Sequence, residues 1–99
     1  MVPSGNFEFA SGSPIKKVTL KHHELGFEMT PHICSECGSV LAKTADDDRF
    51  RGVHIVFAGT LDGDAADKAE LTQPQMELWT KYRHGWVKPL DIPQKVGFE

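Results

Sequence analysis

Cysteine is almost missing from this chain: 99 residues hold two, Cys34 and Cys37. A small secreted scaffold needs several bridges, so a disulfide-built fold is excluded and a reducing, cytoplasmic setting is expected. Long apolar runs are missing too. No stretch approaches the ~20 apolar residues of a membrane span, and no membrane partner is expected. The opening MVPSGNFEFASGS has neither the basic lead nor the apolar run of a signal peptide. Basic charge is in deficit: 11 Lys and Arg against 14 Asp and Glu give a formal charge of −3. A binder of phosphate backbones needs a basic face, so no nucleic-acid partner is expected. Five histidines offset that charge only in acid. No G-x-S-x-G, P-loop or dinucleotide fingerprint occurs.

What is present has the size of one small globular domain, residues 1–99, with 39% hydrophobic residues. A chain this short buries only roughly 60–70% of its unfolded surface. Its core is therefore thin, and a metal or a partner chain matters more than in a larger protein. Residues 1–13, rich in Gly, Ser and Pro, are a candidate flexible lead, although NFEFA within them alternates like an edge strand. In IKKVTLKHH, Val18 and Leu20 share one face and Lys17, Thr19 and Lys21 the other, the period-2 mark of a half-buried strand. Gly26 suits a turn, and Phe27 and Met29 resume the alternation, so residues 15–30 read as a β-hairpin. Residues 44–51, with three consecutive aspartates, read as a solvated loop; the D-x-D-x-D-G spacing of a calcium loop is absent. Val53, Ile55 and Phe57 alternate with Val56 and Ala58 as in a central strand, ended by Gly59 and Asp62-Gly63-Asp64. Residues 65–83 are ambiguous. Ala, Glu, Lys and Leu favour helix, but Pro74 interrupts it and Met76, Leu78 and Thr80 alternate like a strand. The tail, with Pro89 and Pro93, reads as irregular, packing Trp86, Leu90 and Ile92.

The chemistry concentrates in HICSECGSVL, residues 32–41. A redox C-x-x-C usually caps a helix, whose N-terminus stabilises the thiolate. Here Gly38-Ser39 and the extended Val40-Leu41 follow instead, which suits a metal knuckle: the turn aims both sulfurs at one ion. Cys34 and Cys37 are thus candidate metal ligands, with free structural thiols and a redox couple as the other readings. Two more ligands are needed to close a zinc site. His32, two residues before Cys34, is a conceivable third, against its reading as a surface histidine after Pro31. His22 and His23 face opposite ways, so one at most faces any site. His54 reads as a hydrogen-bonded core histidine, and His84 as part of a turn.

C-x-x-C-G-S, then Ala58-Gly59-Thr60-Leu61-Asp62, then Pro74 with an apolar run to Trp79, then Trp86, follow an order that resembles the C-terminal half of the glutathione-dependent formaldehyde-activating enzyme family, which includes centromere protein V. FASGSPIKKVTL resembles the segment just before that family's knuckle. The resemblance spans about Phe7 to Pro93. It implies a mainly β, twisted Mss4-like fold with a zinc knuckle, and it tips residues 76–80 toward strand. It implies zinc as cofactor, shared in the family between this cysteine pair and an upstream C-x-C. A further upstream cluster holds the family's catalytic zinc. This chain, with two cysteines, has neither, and is expected to correspond to the family domain without its first part. The family's carbon–sulfur lyase chemistry joins glutathione to formaldehyde, so glutathione adducts are the implied partners; the catalytic residues stay unknown. The alternative is a non-catalytic interaction or dimerisation module completed by a partner chain, such as a homodimer sharing zinc. Trp79, Trp86 and Asp62 match family positions with packing or turn roles.

Overall fold

A computed structural model describes residues 1–10 and 12–99; Ser11, inside the stretch read as a flexible lead, lies outside the described residues. The chain divides into two compact units, Met1–Asp62 and Gly63–Glu99.

The first unit is a six-stranded antiparallel sheet. Its strands are β1 (Val2–Pro3), β2 (Ile15–Lys17), β3 (Leu20–Lys21), β4 (Glu28–Cys34), β5 (Val40–Ala45) and β6 (Val53–Val56). They lie in the order β1-β6-β5-β4-β2, with β3 also on β4. The expected hairpin over 15–30 forms, with Leu20 opposite Met29 and Lys21 opposite Glu28. Its first arm breaks between β2 and β3, where Val18 N–H still bonds the Pro31 carbonyl at 3.2 Å. The turn is tied by His22, whose Nδ1 accepts the N–H of Leu25 at 3.0 Å. Gly26 takes φ +79° there, a conformation glycine adopts without a Cβ penalty.

The strand at 53–58 is shorter than expected and has only the two-residue β1 beyond it. After Val56 the chain turns into a single 3-10 turn, and Phe57 is left 38% exposed. Residues 44–51 also differ from a plain solvated loop. Asp47 accepts the Arg49 N–H at 2.9 Å and caps a 3-10 turn over Asp48–Phe50. That turn directs Phe50 inward, beside Phe27 with ring centroids 5.9 Å apart. Ala42 and Phe50 are the buried apolar residues among those described, so the core is thin, as the length demands.

The N-terminal stretch is anchored at both ends of its first nine residues. Val2 pairs with His54 and Pro3 with Val53, while Ser4 N–H bonds the Gly52 carbonyl at 2.8 Å. Phe7 then stacks on His54 at 4.4 Å and meets Phe9 edge-on at 5.0 Å.

In the second unit the helix-favouring composition yields two single-turn helices, α1 (Gly63–Ala66) and α2 (Ala69–Thr72). Gln73 leaves the helical conformation just before Pro74, because proline disfavours helix in the residue preceding it. The strand expected at 76–80 reduces to a single parallel bridge, Glu77 with Gln94. A 3-10 turn, Thr80–Tyr82, ends it. The tail is irregular, but Trp86 is 82% exposed and Leu90 half exposed, contrary to their expected packing. Among the described residues no helix is long and apolar enough to cross a membrane.

Candidate metal centre

β4 and β5 carry the cysteine pair at their shared end. Cys34 is the last residue of β4, opposite Ile15 of β2, and Ser35–Ser39 form the connection to β5. A bulge between His32 and Ile33 leaves Leu41 as an extra residue on β5, which bends the strands and re-aims their side chains. The turn is closed from both sides: Gly38 N–H bonds the Cys34 carbonyl at 2.8 Å, and Cys34 N–H bonds that of Ser39 at 2.9 Å. Gly38 adopts φ +79°, a left-handed conformation that suits residues without a Cβ. Ser35 ties the turn to the sheet edge through its N–H and Oγ, both donating to the Pro14 carbonyl, at 2.7 and 2.9 Å.

Both cysteines at this turn are free thiols, Cys34 half-buried and Cys37 exposed. Cys37 Sγ lies 3.2 Å from Ser39 Oγ. The Ser39 hydroxyl, then the Ser39 backbone amide, then the Cys34 thiol hold the Cys37 thiol below its ordinary value. Each stabilises a thiolate, the form that binds metal. The pair therefore fits two positions of a tetrahedral thiolate site in donor type. Among the described residues, however, no group of three or more His, Cys, Asp or Glu side chains is placed to hold a metal.

His32 is not on the surface. It is 5% exposed, because it sits in the middle of the sheet, opposite Ala42 of β5 and Lys17 of β2. Its ring meets Phe9 at 5.4 Å and His54 at 5.8 Å, and its Nδ1 has no hydrogen-bond partner among the described residues. Burial, then the charges of Lys17 and His54, push its pKa down, partly opposed by the backbone at Ala42 and Thr30. It belongs to the Phe7–Phe9–His54 cluster and forms no three-ligand group with the cysteines.

The remaining histidines take local roles. His54, half-buried in β6, lies with Nδ1 2.9 Å from Ser4 Oγ, in keeping with a hydrogen-bonded core histidine. His22 and His23 stack on each other at 5.0 Å, and His84 stacks on Trp86 at 6.0 Å. Asp62 is exposed beside the α1 turn. Trp79 takes the left-handed conformation, φ 59°, an unusual one for a bulky residue. Ser39 was legible as part of C-x-x-C-G-S, but its service to the Cys37 sulfur was not. Ser4, Phe7 and Phe9 carried no sequence signal linking them to His54 and His32.

A small, mainly β sheet with an exposed dithiol turn between two central strands defines the class of protein at hand. The family profile of the glutathione-dependent formaldehyde-activating enzyme matches residues 1–82, and the chain belongs to that family. No curated protein and no solved structure gives a significant match.

Proposed function

We propose that this chain is a zinc-binding domain of the formaldehyde-activating family, in which Cys34 and Cys37 supply two zinc ligands. The observation that supports this reading is the closed turn, which presents both thiols together and stabilises thiolate at Cys37. On the same reading the sheet is a Mss4-like structure with this turn as its zinc knuckle, and the protein works in the cytoplasm. Zinc held by four thiolates cross-links the fold and leaves no open position for a substrate. With two cysteines in all, the chain has none for a separate catalytic cluster. It therefore does not by itself accelerate the joining of glutathione to formaldehyde, the carbon–sulfur lyase chemistry of the family.

One observation favours a partner-completed site. Residues 35–40, the tip that carries Cys37, are all exposed. A second copy related by a two-fold axis brings its own cysteine pair to the same ion, which fills four positions with isologous contacts. This is the non-catalytic interaction reading, a homodimer sharing zinc. Elemental analysis of protein purified without chelator tests both statements. One zinc per two chains, in a dimer that dissociates on chelation, is expected. A monomer with one zinc per chain replaces the shared site with a self-contained one. No zinc and two freely reactive thiols overturn the metal reading. NMR exchange between glutathione, formaldehyde and their adduct tests activity. Acceleration that disappears in Cys34→Ser assigns the chemistry to this pair and overturns the non-catalytic reading.

A further inference from the structure

The family match ends at residue 82, and the residues beyond it fold back on the segment just before that end. Lys95 N–H bonds the Glu77 carbonyl at 2.8 Å, and Glu77 N–H bonds that of Pro93 at 2.9 Å. Further along, Thr80 N–H bonds Lys95 at 3.0 Å, Trp79 N–H bonds Gly97 at 3.1 Å and Lys81 N–H bonds Val96 at 3.3 Å. Five backbone bonds thus lay residues 93–97 along residues 77–81. Two of the segment's apolar side chains add little burial: Leu90 is 50% and Val96 68% exposed. Ile92 is half-buried, and side-chain hydrogen bonds add to these contacts.

One side chain organises the polar contacts. Glu77 Oε2 accepts from the Arg83 guanidinium at 2.6 Å and from the Leu90 N–H at 3.2 Å. Arg83 also donates to the Gln94 side-chain oxygen. Gln94 in turn donates to the Leu90 and Ile92 carbonyls, both at 3.0 Å. The Arg83 and Glu77 side chains are each 22% exposed, so water screens this pair less than a surface ion pair. Glu77 lies among the covered residues, Leu90, Ile92 and Gln94 lie in or just before the returning segment, and Arg83 follows the covered residues.

We propose that residues 90–97 are a strap latched by Glu77, with Arg83 and Gln94 as its positioning residues, which opens as a unit when that carboxylate loses its partners. Local opening of this kind is expected where few apolar contacts and a few exposed backbone bonds hold a segment. The residues that hold the strap also border a groove: Glu77, Trp79, Thr80 and Arg83, with Leu78, Tyr82 and Val87, line an open space of about 400 Å³. Opening removes the Gly97 carbonyl from the Trp79 N–H and frees the left-handed Trp79 backbone to relax, which reshapes that groove.

Amide hydrogen exchange on the full chain, compared with Glu77→Gln and Gln94→Leu, tests this. Glutamine keeps an acceptor for Leu90 but loses the charge that holds Arg83. The Trp79, Thr80 and Lys81 amides are expected to exchange on the order of tenfold faster in either variant, the effect of losing one charge-assisted hydrogen bond. The β4–β5 amides keep their rates. The double variant is expected to go little beyond the faster single one, because the residues act as one latch. Unchanged exchange at Thr80 and Lys81 in both single variants overturns the proposal. Equal acceleration in both units also overturns it, since a local latch leaves the sheet untouched.

Discussion

Phe50→Ala tests the idea that a single ring carries most of the sheet's core. Phe50 is 8% exposed, and Ala42 is the other buried apolar residue among those described. A phenylalanine side chain of roughly 200 Å², at about 25 cal/mol per Å², corresponds to ~5 kcal/mol of burial. A compact denatured state that already buries part of that surface reduces this to ~4 kcal/mol. That agrees with the ~3–5 kcal/mol usual for removing a buried ring. A chain of this length has only about 5–15 kcal/mol of stability to lose. The matched control is Phe57→Ala, since Phe57 is 38% exposed and makes a cation–π contact with Lys43 at 5.9 Å. Urea unfolding followed by the β-sheet circular dichroism band is the assay. With a slope near ~1.5 kcal/mol per molar, Phe50→Ala lowers the midpoint by about 2–3 M, and Phe57→Ala by about two-thirds as much. A shift for Phe50→Ala no larger than that for Phe57→Ala refutes the reasoning.

Gly38→Ala meets no atom within 4 Å of the new Cβ, so its cost is backbone strain alone, about 1–2 kcal/mol at φ +79°; a weaker zinc affinity, read by competition with a chromogenic chelator, is expected, and an unchanged one argues against the knuckle. Acid weakens the second unit through Glu77. Partial desolvation raises its carboxyl pKa, but the Gln94 side chain, the Leu90 N–H and the Arg83 guanidinium outweigh it and hold the group below the usual range. The stability this gives is complete above the ordinary glutamate value and is lost as pH falls through the lower folded one. Trp79 and Trp86 both lie in this unit, so tryptophan emission should show an acid step that is missing in Glu77→Gln. Asp47, lowered by hydrogen bonds from the Arg49 side chain and backbone, behaves the same way in the first unit; Arg49→Gln should make far-ultraviolet circular dichroism less sensitive to acid below the ordinary aspartate value. His32 has a depressed pKa because it is buried, so its contribution is complete above the ordinary histidine value and falls as the pH drops below it; His32→Phe should flatten the melting temperature between neutral and mildly acidic pH.

Spacing along the chain was enough to read the local features. Period-2 alternation announced the hairpin over 15–30, because a strand's side chains face alternate sides whatever it packs against. The dithiol turn was legible for a similar reason: C-x-x-C-G-S places both sulfurs and the glycine in one short stretch of chain, and its closing bonds run between residues at most five apart. Properties that depend on distant residues were not legible. His32 looked like a surface histidine after a proline, yet its burial comes from Ala42, Lys17 and Phe9, brought around it by strand pairing and by the returning N-terminal stretch. Phe50 stood in an acidic run that reads as solvated, and only the Asp47-capped turn carries its ring to Phe27. The Glu77 network joins residues 77, 83, 90 and 94, whose side chains meet because the chain reverses between them. Periodicity records which way a side chain points from its own backbone; what waits there depends on contacts that only the tertiary structure makes.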